Sequence, residues 1–280
     1  MVTRWKEAGD PFTRADLQML SEAGVETLWA PREASGALAR FLAARLNHAL
    51  SSRGHGHIKT RQALVQALLL SVAAVLDAPG APEHRLTLSR LVQIMVRSFD
   101  IHDVARLIEP ESADFSLAGH SVAVGLWCFI LVDQLSLAHR SRQRLVQAAL
   151  LHDLGLSLVP DEGTSLVELE GHGQHPMVRE HTDLGVTLMM NSGPITVQTR
   201  DAVLYHHERL DGSGYPFGLR GSSIPMTARI VGLADVLARE AFIDHQSSHE
   251  SLTRGFGSRL AARAAEVLRV VTFTHRSGTA

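Results

Sequence analysis

The stretch Tyr205 to Pro216, YHHERLDGSGYP, sets two adjacent histidines, His206 and His207, just ahead of a constrained glycine-proline turn. Consecutive helix residues point about 100° apart, so both imidazoles converge on one point only where a helix ends. Other histidines and aspartates fall near predicted helix ends in the same half of the chain: His120, the pair His152-Asp153, His181 and Asp235. Neutral imidazole and carboxylate are ligands of iron, manganese and zinc. No cysteine joins the set, which argues against a structural zinc site. Seven donors are too many for one ion. They suit two ions if one carboxylate bridges them, and Asp153 is the natural bridge because each of its oxygens can hold one ion.

Other histidines are expected to be bystanders. His102-Asp103 in FDIHDVARL follows no long apolar helix and lacks a glycine stop, so it is expected on the surface. His172 and His175 lie in the glycine-rich stretch EGTSLVELEGHGQHP, expected to be a solvated loop.

The elements that must position the seven donors read as helices, because apolar residues recur at helical spacing. A short helix is expected from Thr13 to a stop at Gly24, with a strand from Val25 to Trp29. ASGALARFLAARLNHALSS, TRQALVQALLLSVAAVLDA and TLSRLVQIMVRSFDIHDVARLI each read as one helix. HSVAVGLWCFILVDQL is apolar nearly all round and should be a buried central helix. SRQRLVQAALLHDLG should be a helix that stops at Gly155, and GPITVQTRDAVLYHHERLDG one that runs to the Asp211-Gly212 turn. MTARIVGLADVLAREAF follows Pro225. The expected architecture is all-α: a mostly helical N-terminal region over 1–110, a bundle of five or so core helices over 111–245, and a short tail over 246–280.

Composition narrows the function classes. Apolar residues make up 45% and charged residues 20% of the 280, as in a globular chain and unlike a disordered one. A net charge of −2 argues against nucleic acid as partner. One cysteine, Cys128, cannot form an internal disulfide, which fits a cytoplasmic setting, and MVTRWKEAGD lacks the apolar core of a signal peptide. The apolar stretch Ala63 to Leu76, broken by Gln66 and Ser71, reads as too short for the roughly 20 residues of a membrane helix.

HHERLDGSGYPFGLRGSSIPMTARIVGLAD resembles the signature of the HD-GYP family, a branch of the HD phosphohydrolases. Its Glu208, Asp211, Gly212, Gly214-Tyr215-Pro216, Ile224-Pro225 and Asp235 all fall in place. ALLHDLG resembles the family's His-Asp motif, DFSLAGHS the segment before it, and EHTDLG its His-x-x-x-Gly element with His181 and Gly185. The resemblance implies an HD-type helical bundle and hydrolysis of the second messenger cyclic di-GMP to linear pGpG and onward to GMP. It implies two divalent ions, iron or manganese, with His152 and Asp153 as the catalytic pair. His120, His152 and Asp235 would complete one ion and His181, His206 and His207 the other. Glu208 and Asp211 become candidates to orient imidazoles, and the Gly-Tyr-Pro turn to touch ligand or partner. Ser116 stands where some members have a glutamate for a third metal, so two ions are expected.

The chain departs from the family's pattern around these ligands. Leu156 and Leu166 stand where lysines are usual, and Ala238 where the family carries a second aspartate. Asp244 falls about where an arginine is expected. Arg209, Arg220 and Arg229 are the candidate phosphate-binding replacements. Two readings stay open: an active phosphodiesterase, and a catalytically weak or inactive module that senses nucleotide or docks a partner such as a diguanylate cyclase domain.

Overall fold

The computed structural model describes residues 31–52, 58–105, 107–108, 116–135, 137–159 and 176–247, with isolated positions 15, 19, 22 and 23. The chain divides into two compact units, Met1–Ala34 and Ser35–Ala280. The first is described only at a few helical or turn positions and a 3₁₀ turn, Arg32–Ala34. The expected strand near Val25 to Trp29 and the loop holding His172 and His175 lie outside the described residues.

In the second unit the described residues form α-helices and no strand. They are α1 (Ser35–Ser52), α2 (Ile58–Asp77), α3 (Pro82–Ser98), α4 (Ile101–Ala105), α5 (Leu117–Gln134), α6 (His139–Ala149), α7 (Pro176–Asn191), α8 (Val197–Leu204) and α9 (Met226–Ser247). Five of them, α5 to α9, make up the expected bundle. The division expected near residue 110 falls inside this unit, because helices on both sides of it share one core. Leu64, Leu68 and Val72 of α2 and Leu88, Leu91 and Met95 of α3 pack in the same apolar cluster as Phe129 of α5 and Val146 of α6.

The periodic stretch from Thr87 to Ile108 is two helices, not one. Phe99 is extended (φ −119°, ψ 140°) and closes α3. Asp100 then caps α4: its carboxylate accepts from the amide of Asp103 at 2.7 Å, and the carboxylate of Asp103 accepts from the amide of Asp100 at 3.4 Å. This reciprocal cap satisfies two amides that the first turn would leave unpaired. His102 is exposed as expected. Asp103 is not: it is buried and ion-paired with buried Arg61 of α2.

α5 is buried on nearly every side from Ala118 to Val132 and runs through the middle of the core. Ser116 starts it, its hydroxyl accepting from the amide of Gly119 at 3.1 Å. Thr196 starts α8 in the same way through Thr199. Thr60–Asp77 and Leu117–Gln134 are both long and apolar enough to cross a membrane. That corrects the expectation that the apolar run around Ala63 to Leu76 is too short, since α2 extends over 20 residues. Both helices contribute side chains to the shared core.

Removing one partner of a buried ion pair leaves the other charge unpaired, at a cost of roughly 3–5 kcal/mol. Arg61→Ala is therefore expected to lower unfolding stability by about 3 kcal/mol, read as a shifted urea midpoint. A midpoint equal to the parent's would mean that Asp103 is compensated elsewhere.

Candidate metal centre

Five segments deliver the seven donors. His120 lies in the first turn of α5, and Asp235 lies midway along α9. His181 sits near the start of α7. The expected helix ends at the other two segments lie earlier than the sequence suggests. α6 stops at Ala149, short of Gly155, and His152 and Asp153 occupy the turn before a 3₁₀ helix, Leu154–Leu158. α8 stops at Leu204, before the paired histidines and not at Asp211. Asp153 itself adopts φ −98°, ψ 17°, the sparsely populated bridge region.

These early stops turn the side chains inward. Amides Leu151, Leu154 and Leu156 bond the carbonyls three residues back, at 3.1, 3.1 and 2.9 Å, a tighter winding than α. Beyond α8 the rings of His206 and His207 lie 4.0 Å apart, centroid to centroid, and both point into the bundle. Two glycines let the backbones close in. A Cβ on Gly155 would sit 2.0 Å from the carbonyl oxygen of His181, where α7 crosses the His-Asp turn. A Cβ on Gly232 would sit 2.3 Å from the carbonyl oxygen of His206, where α9 crosses the other turn.

The carboxylate of Asp153 divides its surroundings between its two oxygens. Oδ1 faces His181 Nε2 at 3.2 Å and His206 Nε2 at 3.5 Å. Oδ2 faces His152 Nε2 at 3.0 Å and His120 Nε2 at 3.6 Å. Asp235 Oδ1 lies 3.2 Å from His120 Nε2 and 3.8 Å from His152 Nε2. Donor atoms thus fall into two groups, Asp153, His181, His206 and His207 in one and His120, His152 and Asp235 in the other. All are buried except His120, whose side chain is 18% exposed and marks the open side.

Three imidazoles are locked in one tautomer by the main chain. The Nδ1–H groups of His152 and His206 donate to the carbonyls of Ala149 (2.8 Å) and Val203 (2.7 Å), and that of His181 to the carbonyl of Val178. Each leaves Nε2 as a lone pair facing the cluster, as a metal ligand requires. Burial, reinforced by neighbouring imidazoles, holds His206 below the usual histidine range and His207 well below it, so both stay neutral. Burial pushes Asp153 up, but His152, His181 and His206 outweigh it and hold the carboxyl well below its ordinary value. His152 is lowered by burial yet raised overall by Asp153 and Asp235. His120 Nε2, His152 Nε2, both oxygens of Asp153 and Oδ1 of Asp235 are buried without hydrogen-bond partners. Two buried carboxylates among imidazoles, with donor atoms converging and several of them unpartnered, fit a divalent metal site.

A family model described as an HD domain matches residues 105–243, which hold all seven donors. A cyclic di-GMP phosphodiesterase of Pseudomonas aeruginosa is 30% identical over 251 residues, 83% of this chain and 60% of that protein. A 3'3'-cGAMP-specific phosphodiesterase of Vibrio cholerae is 30% identical over 140 residues, 49% of this chain and 26% of that protein. The chain therefore spans less than two thirds of either relative. The solved structure of an HDGYP protein from Bdellovibrio bacteriovorus superposes with a TM-score of 0.61 at 18% identity, over 81% of this chain and 77% of that one. The chain belongs to the HD family, in its HD-GYP branch.

The HD-GYP loop is built around Glu208. Its carboxylate accepts from the amides of Phe217 (2.7 Å) and Leu219 (2.8 Å), folding the loop back on the histidine turn. Asp211 accepts from the amide and hydroxyl of Ser213, at 2.9 and 2.7 Å, across Gly212. Glu208 and Asp211, expected to orient imidazoles, bind the loop itself, and main-chain carbonyls orient His152, His181 and His206 instead. Gly214 lies against the backbone of His207 to Arg209, and the peptide Tyr215-Pro216 is cis. The ring of Tyr215 stacks on His207, with centroids 4.5 Å apart and planes 20° apart.

The candidate phosphate cations are mostly engaged. Arg209 donates to the carbonyls of His206 and Glu208, both at 3.2 Å. Arg229 donates to those of Ile224 (2.9 Å) and Gly221 (2.6 Å). Arg220 lies along Gly212, and Asp211 is held below its ordinary value chiefly by the hydrogen bonds from Ser213, with a smaller contribution from Arg220. Leu156 and Ala238, at the positions of departure from the family, are buried. Leu166 lies outside the described residues, as does the side chain of Asp244 on α9. Two guanidiniums the sequence left unremarked do border the site. Arg239, one turn after Asp235, pairs with its other oxygen, and Arg179 lies over the ring of Tyr215. The i, i+4 spacing from Asp235 could have pointed to Arg239. Nothing local pointed to Arg179, whose partner lies 36 residues on.

Gly155→Ala is expected to force the His-Asp turn away from α7. Overpacking of this kind costs about 1–3 kcal/mol, and metal content should fall in step with the urea midpoint. A variant with the parent's stability and metal content would show that the two backbones separate freely.

Proposed function

We propose that the chain is a phosphodiesterase that holds two divalent ions, iron or manganese, and opens cyclic di-GMP to pGpG and onward to GMP. The observation that best supports this is the division of Asp153, with one oxygen toward His181 and His206 and the other toward His120 and His152. In this reading Asp235 completes the second group and His207 the first. Bound ions supply Lewis-acid activation of water and charge stabilisation on the phosphoryl oxygens. The residues of the chain supply the rest. Carbonyl bonds to Nδ1 keep the Nε2 lone pairs aimed. Burial of the remaining donors excludes bulk water, and the partly open side at His120 is where a phosphodiester enters. The names of the relatives support a cyclic dinucleotide as substrate class.

A second reading, a weak or inactive module that senses nucleotide or docks a diguanylate cyclase domain, draws support from the cations. Leu156 is buried and apolar, and Arg209 and Arg229 are held by carbonyls. Anaerobic purification with Mn²⁺ or Fe²⁺, followed by chromatography of cyclic di-GMP incubations, separates the two. Linear product supports the enzyme. Binding without turnover supports the module.

Asp153→Ala removes the one residue that faces both groups. Metal content is expected to fall from about two ions per chain to below one. Hydrolysis should drop by more than the roughly 10–100-fold lost with a supporting group. Full metal content and full turnover in this variant would rule out Asp153 as the bridge.

A further inference from the structure

We propose that Arg179 is the residue that anchors the ligand's phosphate at the rim of the ion site, held there by Tyr215. The inference rests on the reading that a phosphorylated ligand sits on the buried donors. Arg179 is exposed on α7, two residues before His181. Its guanidinium lies 5.2 Å from the centroid of the Tyr215 ring, within the range of a cation–π contact. The opposite attachment of that ring is to the site: it stacks on His207 at 4.5 Å and meets His181 edge-on at 6.4 Å. A chain of contacts thus runs from the donor cluster through one aromatic plate to one guanidinium. No carboxylate among the described residues forms an ion pair with Arg179, so its five donors remain available to an incoming anion.

Three other arginines near the site are engaged: Arg209 and Arg229 donate to carbonyls, and Arg239 is paired with Asp235. Arg220 packs along Gly212. The lysine usual after the His-Asp-x-Gly element is absent, since Leu156 is buried there. A ligand with two phosphates needs positive charge outside the ions, and Arg179, joined to the donor cluster through Tyr215, is placed to supply it. Stacking on Tyr215 limits the rotamers the long side chain would otherwise lose on binding, which preorganises the fork for phosphoryl oxygens. It also assigns a physical task to the tyrosine of the Gly-Tyr-Pro turn in this chain: it positions Arg179.

The test titrates inorganic phosphate calorimetrically into Mn²⁺-loaded protein at several salt concentrations, with metal content measured for every variant. Arg179→Ala is expected to keep its metal and to bind phosphate about tenfold more weakly, the scale of one charge-assisted contact. Its salt dependence should be shallower than the parent's. Arg179→Lys keeps the charge without the planar fork and should recover part of the loss. Tyr215→Phe keeps the plate and should match the parent, whereas Tyr215→Leu should lose affinity several-fold. Equal phosphate affinity in parent and Arg179→Ala, or no phosphate binding by the parent, overturns the proposal. Cyclic di-GMP titrated in parallel distinguishes the two readings. If the parent neither binds nor cleaves it while Arg179→Ala still weakens phosphate, the substrate assignment fails and the anchor stands.

Discussion

Everything in the second unit answers to one constraint: a carboxylate, Asp153, held at 1% exposure with four imidazole nitrogens within 3.6 Å of its oxygens. A buried charge must be matched, or it is driven to its neutral form or to the surface. Here the match is divided, two imidazoles to each oxygen, and a second carboxylate, Asp235, is buried alongside. Arg239 balances one of the two negative charges. The imidazoles of His206 and His207 are held neutral by burial and cannot balance the other. The converging donor atoms, several of them buried without a hydrogen-bond partner, are compatible with a divalent metal site.

Such a centre demands close backbones. The ligands come from five segments, so helices must cross turns at distances that ordinary side chains forbid. Gly155 beneath the carbonyl of His181 and Gly232 beneath the carbonyl of His206 are where the crossings occur. Both ligand-bearing turns also need their helices to stop early, and the 3₁₀ winding after Leu150 does this for the His-Asp pair. The apolar helix α5 then serves as the floor against which α6 and α9 are packed. Stability and site are thus one design: the same contacts that exclude water from the core bring the donors together.

Around that rigid centre lies a loop whose polar groups serve its own shape. Glu208 and Asp211 satisfy backbone amides, and Arg209 and Arg229 satisfy carbonyls. A loop of this length near a polar site would otherwise carry unpaired main-chain groups. What it delivers to the site is the flat face of Tyr215, stacked on His207.

That these seven histidines and aspartates would gather at one place was legible from the sequence, because metal chemistry restricts which residue types to look for and helical periodicity fixes which segments are helices. The buried character of α5 and the five-helix bundle were legible for the same reason, since an all-round apolar helix has nowhere else to go. Helix ends were not. Whether α6 runs to Gly155 or stops at Ala149 depends on competition between α and 3₁₀ hydrogen bonds, which tertiary packing against α7 decides. The break at Phe99 and Asp100 was hidden because apolar periodicity continues across it, although the Asp-x-x-Asp spacing held the cap. Asp103 looked like a surface residue until α2 supplied Arg61, and Arg179 looked like any exposed arginine until the chain brought Tyr215 beneath it. Sequence spacing carries what local geometry and chemistry enforce; partners 36 or 42 residues apart are chosen only when the helices pack.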